Sequence, residues 1–482
     1  MGREDFLYGR FRDHFSLDAT PCQDRFFRTA ASFVTSDDAD ILVVNGYAGT
    51  GKTSAVAAVV EAFTELEVPC ILMAPTGRSA KVLSSFTGKP ASTIHKLIYR
   101  QKSVGEDGFG LFSSAPNKAR NTLFVVDEVS LIGIDTPQQQ SSAQFGTGNL
   151  LSDLISFVRS GVDCKLVMLG DSAQLPPLGL DESPALSHEF MAQFGGVIFE
   201  TLTTVVRQKQ LSGILYNATM LREMICDGLV DLPQFSLHPE DKELPPFGDF
   251  ERIDGGELIE KISDAYDRWG EDETIVLCRS NRRAIRYNLG IRGMVQYKEE
   301  RLVRGDKLMV VKNCYQFIDK QKPEGMDYIA NGDIARLLGI SGYEDRYGLH
   351  FADARLQFPD YDNQELVAKV CLDTLESESA SLTYEQQNAL YRGVDADYSD
   401  IRAKAKRYAA VREDHFYNAL QLKYATAITG HKSQGGQWKC VFVDNPLWHE
   451  DVSMDDLKWL YTAVTRGVEK VYLVNFKEEC FI

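Results

Sequence analysis

The sequence contains no apolar run approaching the ~20 residues that a helix needs to cross a bilayer, which implies a soluble chain. It also contains no CxxC pair. Its nine cysteines fall singly between Cys22 and Cys480, which fits neither a zinc ribbon nor a disulfide framework and suits a reducing compartment. They read as small buried apolar residues. The first 13 residues mix Arg10, Arg12, Glu4 and Asp13 with aromatics and lack the apolar stretch of a secretory signal, so the expected compartment is the cytoplasm. No Asn-Lys-x-Asp segment for reading guanine occurs, and no internal repeat is evident. Positive charge is in deficit as well. With Lys+Arg 52 against Asp+Glu 69 the formal charge is −17, which counts against binding of nucleic acid, since phosphate affinity comes from lysine and arginine. Net charge describes the whole surface, however, and basic residues can be confined to one groove.

What is present is enough chain for several cores: 482 residues exceed what one compact domain usually holds. Short apolar β-type runs alternate with helical patterns, the grammar of parallel sheets with crossover helices. Candidate strands lie at 41–44, 70–74, 123–126, 166–169 and 197–202, and the grammar returns at 274–278, 440–443 and 471–475. Leu150, Leu151, Leu154, Ile155 and Val158 recur at helical spacing and would cover one sheet face. Strand-like pieces at 307–311, 334–340 and 355–358, parted by Gly, Asn and Asp turns, suggest a small β-barrel inserted in the second unit. A helical, charged stretch follows to about residue 413. The Gln-, Ser-, Thr- and Gly-rich stretch 138–148 reads as a mobile loop.

The strongest chemical signal is Gly46-Tyr47-Ala48-Gly49-Thr50-Gly51-Lys52-Thr53, which follows a strand and precedes a helical run. In such a loop the backbone N–H groups of Gly46, Ala48, Gly49, Thr50 and Gly51, with Ser54 just beyond, turn toward phosphate at a helix N-terminus. Lys52 reaches the terminal phosphates and the Thr53 hydroxyl ligates Mg²⁺. The chain is therefore expected to bind ATP with Mg²⁺. Next, Asp127-Glu128 closes an apolar strand, which puts two carboxylates where open α/β sheets place ligands. Asp127 would hold the metal shell and Glu128 would orient and deprotonate water, so the pair is suited to hydrolysis and not to binding alone. Taken by itself the pair could equally be a helix N-cap with a first-turn acid. A third strand ends in Gly170-Asp171-Ser172-Ala173-Gln174-Leu175-Pro176, where Gln174 could report the γ-phosphate. The bland alternative there is an ordinary Asp and Pro turn.

These segments, together with Ala74-Pro75-Thr76-Gly77-Arg78-Ser79-Ala80, Thr93-Ile94-His95-Lys96, Val206-Arg207-Gln208, His431-Lys432-Ser433-Gln434-Gly435 and Tyr461-Thr462-Ala463-Val464-Thr465-Arg466, resemble the ordered motifs of superfamily 1 helicases. The flavour is that of the branch containing RecD-like, Dda-like and Pif-type enzymes. The segment Arg304-Gly305-Asp306-Lys307 to Asn331-Gly332-Asp333 is similar to the SH3-like barrel which that branch carries. The resemblance implies an α/β protein with two RecA-like P-loop domains, a small wedge insertion and an SH3-like insertion. The expected spans are 1–225 for the first motor domain with the wedge at 99–121, 226–300 and 414–482 for the second, 301–374 for the barrel and 375–413 for a helical insert without assigned role.

The resemblance also assigns residues. Arg207 and Arg466 match the two arginines that reach the γ-phosphate in such motors, and Gln23 matches the glutamine that reads adenine. Thr20-Pro21-Cys22-Gln23 is equally a helix-capping box, and both readings of Gln23 stand. Thr76, His95, Lys96, His431, Lys432 and Ser433 fall in motifs that line the single-strand groove, and Phe109 and Phe112 would stack at the wedge. The implied partners are single-stranded DNA and its junctions with duplex, with no membrane, for a monomeric motor moving 5′ to 3′. Two other classes remain. A P-loop ATPase that remodels proteins would share the P-loop and carboxylates, though it would not predict His431 to Gly435. A non-catalytic DNA-binding relative would have lost a catalytic group.

Overall fold

The computed structural model describes residues 2–104, 110–134, 143–205, 212–241, 243–314, 329–449 and 451–482. Two parallel sheets organise the chain, as the alternating grammar predicts. The first runs in the order Ala91–Thr93, Cys70–Ala74, Leu123–Val126, Lys165–Gly170, Ile41–Gly46 and Val197–Leu202, with every pairing parallel. Its central strands are buried on both faces, hence their unbroken apolar runs. One face is covered by the helices Arg3–His14, Pro21–Thr35 and Lys52–Glu65 through Phe11, Phe27 and Phe63. Leu150–Arg159 covers the other through Leu151, Leu154, Ile155 and Val158.

The second sheet runs Phe250–Ile253, Gly467–Val474, Trp438–Asp444, Thr274–Cys278 and Ala427–Thr429, again all parallel. Its core takes in Ala173 and Leu175 from the first unit beside Trp438, Leu460 and Tyr461. The two units are thus joined by an apolar seam next to the Gly170-Asp171 turn.

The barrel is closed by five strands: Lys307–Val310, Ile334–Arg346, Leu349–Phe358, Gln364–Cys371 and Leu420–Tyr424. The sequence reading caught only the end of the third strand and missed the fourth. The closing strand also falls within 414–482, the span expected to belong to the second motor domain. It pairs antiparallel with Lys307–Val310 and parallel with Gln364–Cys371. Closure leaves no sheet edge, and that gain depends on a partner more than a hundred positions away, which local pattern does not encode. The helical insert forms Tyr384–Asp397 and Lys404–Glu413. It buries Leu390, Val394 and Val411 against Leu349, Phe351 and Phe416 of the barrel region, so it is packed and not a solvated arm.

The insertion at 99–121 forms the antiparallel strands Tyr99–Val104 and Gly110–Ser114. A third strand, Ala143–Phe145, pairs with the second. This corrects the expectation of a mobile loop over 138–148, of which 138–142 lie outside the described residues. Phe145 stacks on Phe112 with ring centroids 4.4 Å apart, Gly146 N–H donates to the Phe112 carbonyl, and Asp153 accepts from Thr147 N–H, Thr147 Oγ1 and the Tyr99 hydroxyl. A polar composition hid these anchors because they are made by tertiary partners.

Candidate functional site

The P-loop links the strand Ile41–Gly46 to the helix Lys52–Glu65. Gly51 caps that helix with φ +71°, a left-handed conformation that glycine adopts without strain. Thr53 and Ser54 occupy the first helical turn. Lys52 Nζ folds back onto the Gly46 carbonyl, and Thr50 Oγ1 donates to the Tyr47 carbonyl at 2.8 Å. Gln23 is fully buried. Its side chain completes the capping box with Thr20, and its Nε2 donates to the Thr50 carbonyl at 2.8 Å. Both ends of the amide are therefore engaged, and the residue braces the P-loop from behind. The capping alternative is realised.

Asp127 and Glu128 follow the strand Leu123–Val126. Asp127 is buried. Its burial, and Glu128 beside it, push its pKa up to about 6 despite the opposing pull of Lys52. Glu128 holds φ +55°, a left-handed backbone that costs a non-glycine residue energy and is characteristic of functional turns. Its N–H donates to Asp127 Oδ1 at 2.8 Å. At the next strand end, Gln174 is 5% exposed and its Oε1 has no hydrogen-bond partner among the described residues. A buried carboxylate whose pKa is raised, a lysine folded onto a backbone carbonyl, and an amide oxygen without a partner among the described residues are groups that a metal-bound nucleotide would satisfy. The residues present fit Mg²⁺ and ATP.

The second unit completes the cleft. Arg466, 4% exposed, is aimed by the Thr462 carbonyl at 3.1 Å and the Gly436 carbonyl at 3.3 Å. Its Nη1 lies 4.0 Å from Glu128 Oε1. Thr53, Ser79, Asp127, Glu128, Gly435 and Arg466 line one small cleft between the units. Arg207 and Phe109 lie outside the described residues.

The remaining candidates divide. Thr76 accepts from Ser79 N–H at 3.1 Å as a helix cap and lies against Gly435 of the His431 to Gly435 turn. Lys432 is exposed and donates to Asn331 Oδ1 of the barrel. His431 is half-buried, and burial lowers its pKa. Ser433 is corrected: it has no exposed surface and its hydroxyl donates to the Gly430 carbonyl at 2.7 Å, so it holds the turn and does not face a groove. His95 packs between Tyr99 and Phe145, where burial takes its pKa down to about 4. It is a neutral ring near pH 7 and not a cation for phosphate. Lys96 shares its helix, Ile94–Ile98. Phe112 is partly buried and stacks one face of its ring on Phe145.

Sequence reading missed the residues that join the two units. Tyr461, Thr462 and Gln434 lie inside quoted motifs, yet only their contacts assign them work. Leu175 N–H donates to Thr462 Oγ1 at 2.8 Å, and its carbonyl accepts from Gln434 Nε2 at 2.7 Å.

Two family models match the chain: an AAA domain over residues 27–224 and a UvrD-like helicase C-terminal domain over residues 424–474. The ATP-dependent RecD2 DNA helicase of Deinococcus radiodurans is 33% identical over 180 residues, 37% of this chain. The chain spans only 21% of that protein's length. The ATP-dependent DNA helicase dda of Enterobacteria phage T4 is 24% identical over 462 residues, 90% of this chain and 94% of that one. Among solved structures, Pif1 helicase from Candida albicans covers 96% of each chain at 15% identity and a TM-score of 0.44.

Proposed function

From its membership of the RecD-like, Dda-like and Pif-type branch of superfamily 1, we propose that this chain is an ATP-dependent DNA helicase that moves along single-stranded DNA, 5′ to 3′, and unwinds duplex ahead of it. The observation that carries the reading is Arg466. A buried guanidinium from the second unit stands beside Glu128 in the P-loop cleft, so the catalytic constellation is whole only when both units are apposed. An arginine supplied across such a cleft stabilises transition-state charge and is worth ~10³ to 10⁵ in rate. Hydrolysis is thereby tied to domain movement.

Bound ATP with Mg²⁺ supplies the phosphoanhydride bond and the Lewis acid. With these bound, Lys52 would neutralise terminal phosphate charge, and Thr53 and Asp127 would hold the metal. Glu128 orients water and accepts its proton, and Gln174 offers its unpaired Oε1 toward that water. Arg207 is the second arginine finger. On the track side, Lys432 and Thr76 present a cation and a hydroxyl at the junction of the two units, contacts suited to phosphate irrespective of base. The three-stranded sheet built on 99–121 is the wedge.

The test is steady-state ATP hydrolysis with and without single-stranded DNA, with Glu128→Gln as control for contaminating ATPase. Strong stimulation by the strand, lost in the variant, is the expected result, followed by preference for 5′-tailed over 3′-tailed duplexes. Hydrolysis indifferent to DNA would overturn the helicase reading in favour of a protein-remodelling ATPase.

A further inference from the structure

The helix Met454–Val464 carries a second cross-domain contact one and a half turns before Arg466, at a residue to which the reading above gives no role. Tyr461 is 1% exposed. Its hydroxyl donates to Asp171 Oδ2 at 2.7 Å and accepts from the Ala48 N–H at 2.8 Å. One oxygen from the second unit therefore meets the P-loop and the end of the strand Lys165–Gly170 together. Asp171 is itself 1% exposed, and its other oxygen accepts from Ala173 N–H at 3.0 Å. From the same helix Thr462 holds the Leu175 N–H, and from the His431 to Gly435 turn Gln434 holds its carbonyl, so the second unit grips the Asp171 to Leu175 turn at three points.

We infer that Tyr461 is a positioning residue: through Ala48 and Asp171 it sets the P-loop in register with the second unit, so that nucleotide turnover depends on domain apposition at the P-loop as well as at Arg466. A buried carboxylate and a partly buried amide share one hydroxyl, and the carboxylate in particular is costly to leave unpaired. The contact accordingly holds or releases as a unit when the cleft opens. The Ala48 N–H, expected to face phosphate, is held by Tyr461 here, and nucleotide can still be seated by the other P-loop residues and Lys52. What the hydroxyl adds is alignment between the halves of the site, which belongs to kcat more than to binding.

This inference rests on the ATPase reading above, and its test separates the two. Tyr461→Phe keeps the ring in the core and removes only the oxygen. The variant is compared with the wild-type chain in ATP turnover and in the affinity of an oligothymidylate with and without a non-hydrolysable ATP analogue. Expected are a loss in kcat of at least about tenfold, a KM for ATP within about threefold, and a ratio of the two DNA affinities that moves toward one, because coupling between sites is reciprocal. A merely structural role would lower the melting temperature without that split. Wild-type kcat and an unchanged affinity ratio would overturn the inference. A wild-type ATPase indifferent to DNA would sink the helicase function alone; the inference would then be judged on kcat without DNA, where the same tenfold loss is expected. Should Tyr461→Phe not fold, hydrogen exchange of the wild-type backbone over 46–50 carries the test. Added analogue and oligothymidylate should raise its protection, and unchanged protection would refute the role.

Discussion

Replacing Gly435 by alanine places a methyl group where the two units touch. Gly435 has φ +73°, and a β-carbon there would lie 1.8 Å from Ser79 Oγ and 3.5 Å from Thr76 Oγ1. The left-handed backbone alone costs an L-residue about 1–2 kcal/mol. Ser79 can turn its hydroxyl away only by giving up its contact with Thr76 Oγ1, and its own β-carbon, 3.1 Å from the new methyl, stays tight; with the hydroxyl kept in place the turn and the helix Gly77–Thr87 must part by roughly 1.5 Å. Because each unit has its own sheet and core, opening the cleft relieves the overlap more cheaply than unfolding does. Ser79, Gly435, Glu128 and Arg466 line the same cleft, so opening at Gly435 draws Arg466 away from Glu128. A misplacement of about 1 Å in a reacting constellation costs on the order of a hundredfold in rate. We therefore expect Gly435→Ala to lower kcat about a hundredfold in saturating single-stranded DNA, with KM for ATP within about threefold. Its melting temperature should stay within about 3 °C of wild type. The assay is coupled ATP hydrolysis with differential scanning fluorimetry on the same preparation. Adding Ser79→Gly, which removes the obstructing hydroxyl, should recover part of the loss. Turnover of the single variant near wild type, or no recovery in the double variant, would refute the reasoning.

The pKa shifts give two stability windows of opposite sign. His95 titrates at about 4 in the fold against 6.5 free, so the unfolded chain binds the extra proton and stability is lost as pH falls from about 6.5 to 4. His95→Gln should flatten melting curves there by roughly 1–3 kcal/mol. Asp333 is raised to about 7 from 3.8, chiefly by burial. The fold therefore holds the extra proton, and stability is lost as pH rises from about 4 through 7. Asp333→Asn, which keeps an oxygen for Ala330 N–H and Tyr361, should melt higher than wild type at pH 8 and no higher at pH 4. On the track side, Lys432→Ala should weaken oligothymidylate binding in fluorescence anisotropy and lower its salt slope by about 0.7, the share of one phosphate contact. Ser433→Ala should leave that slope alone and cost about 1 kcal/mol of stability by freeing the Gly430 carbonyl.

Much of this was legible in the sequence because its physics is local. A strand, a glycine turn and a helix suffice to specify a phosphate cradle, so Gly46 to Thr53 could be read as one. Apolar runs bounded by turns announced both parallel sheets, since a strand buried on two faces must be apolar throughout. The chemistry of Asp127 and Glu128 was likewise readable from their place at a strand's end. Local pattern failed wherever a partner distant in sequence does the work. The closing barrel strand Leu420–Tyr424 carries no mark of where it pairs. Phe145 looks like loop until Phe112 stacks on it, and Ser433 resembles a groove hydroxyl until the Gly430 carbonyl takes its proton. Residue identity alone determined that this chain has a nucleotide site and two α/β units. Only the tertiary structure decided that Tyr461, Thr462, Gln434 and Arg466 meet that site from the other unit. Hydrogen bonds and ion pairs form between neighbours in space, and chain closure across hundreds of residues leaves no periodicity from which to read them.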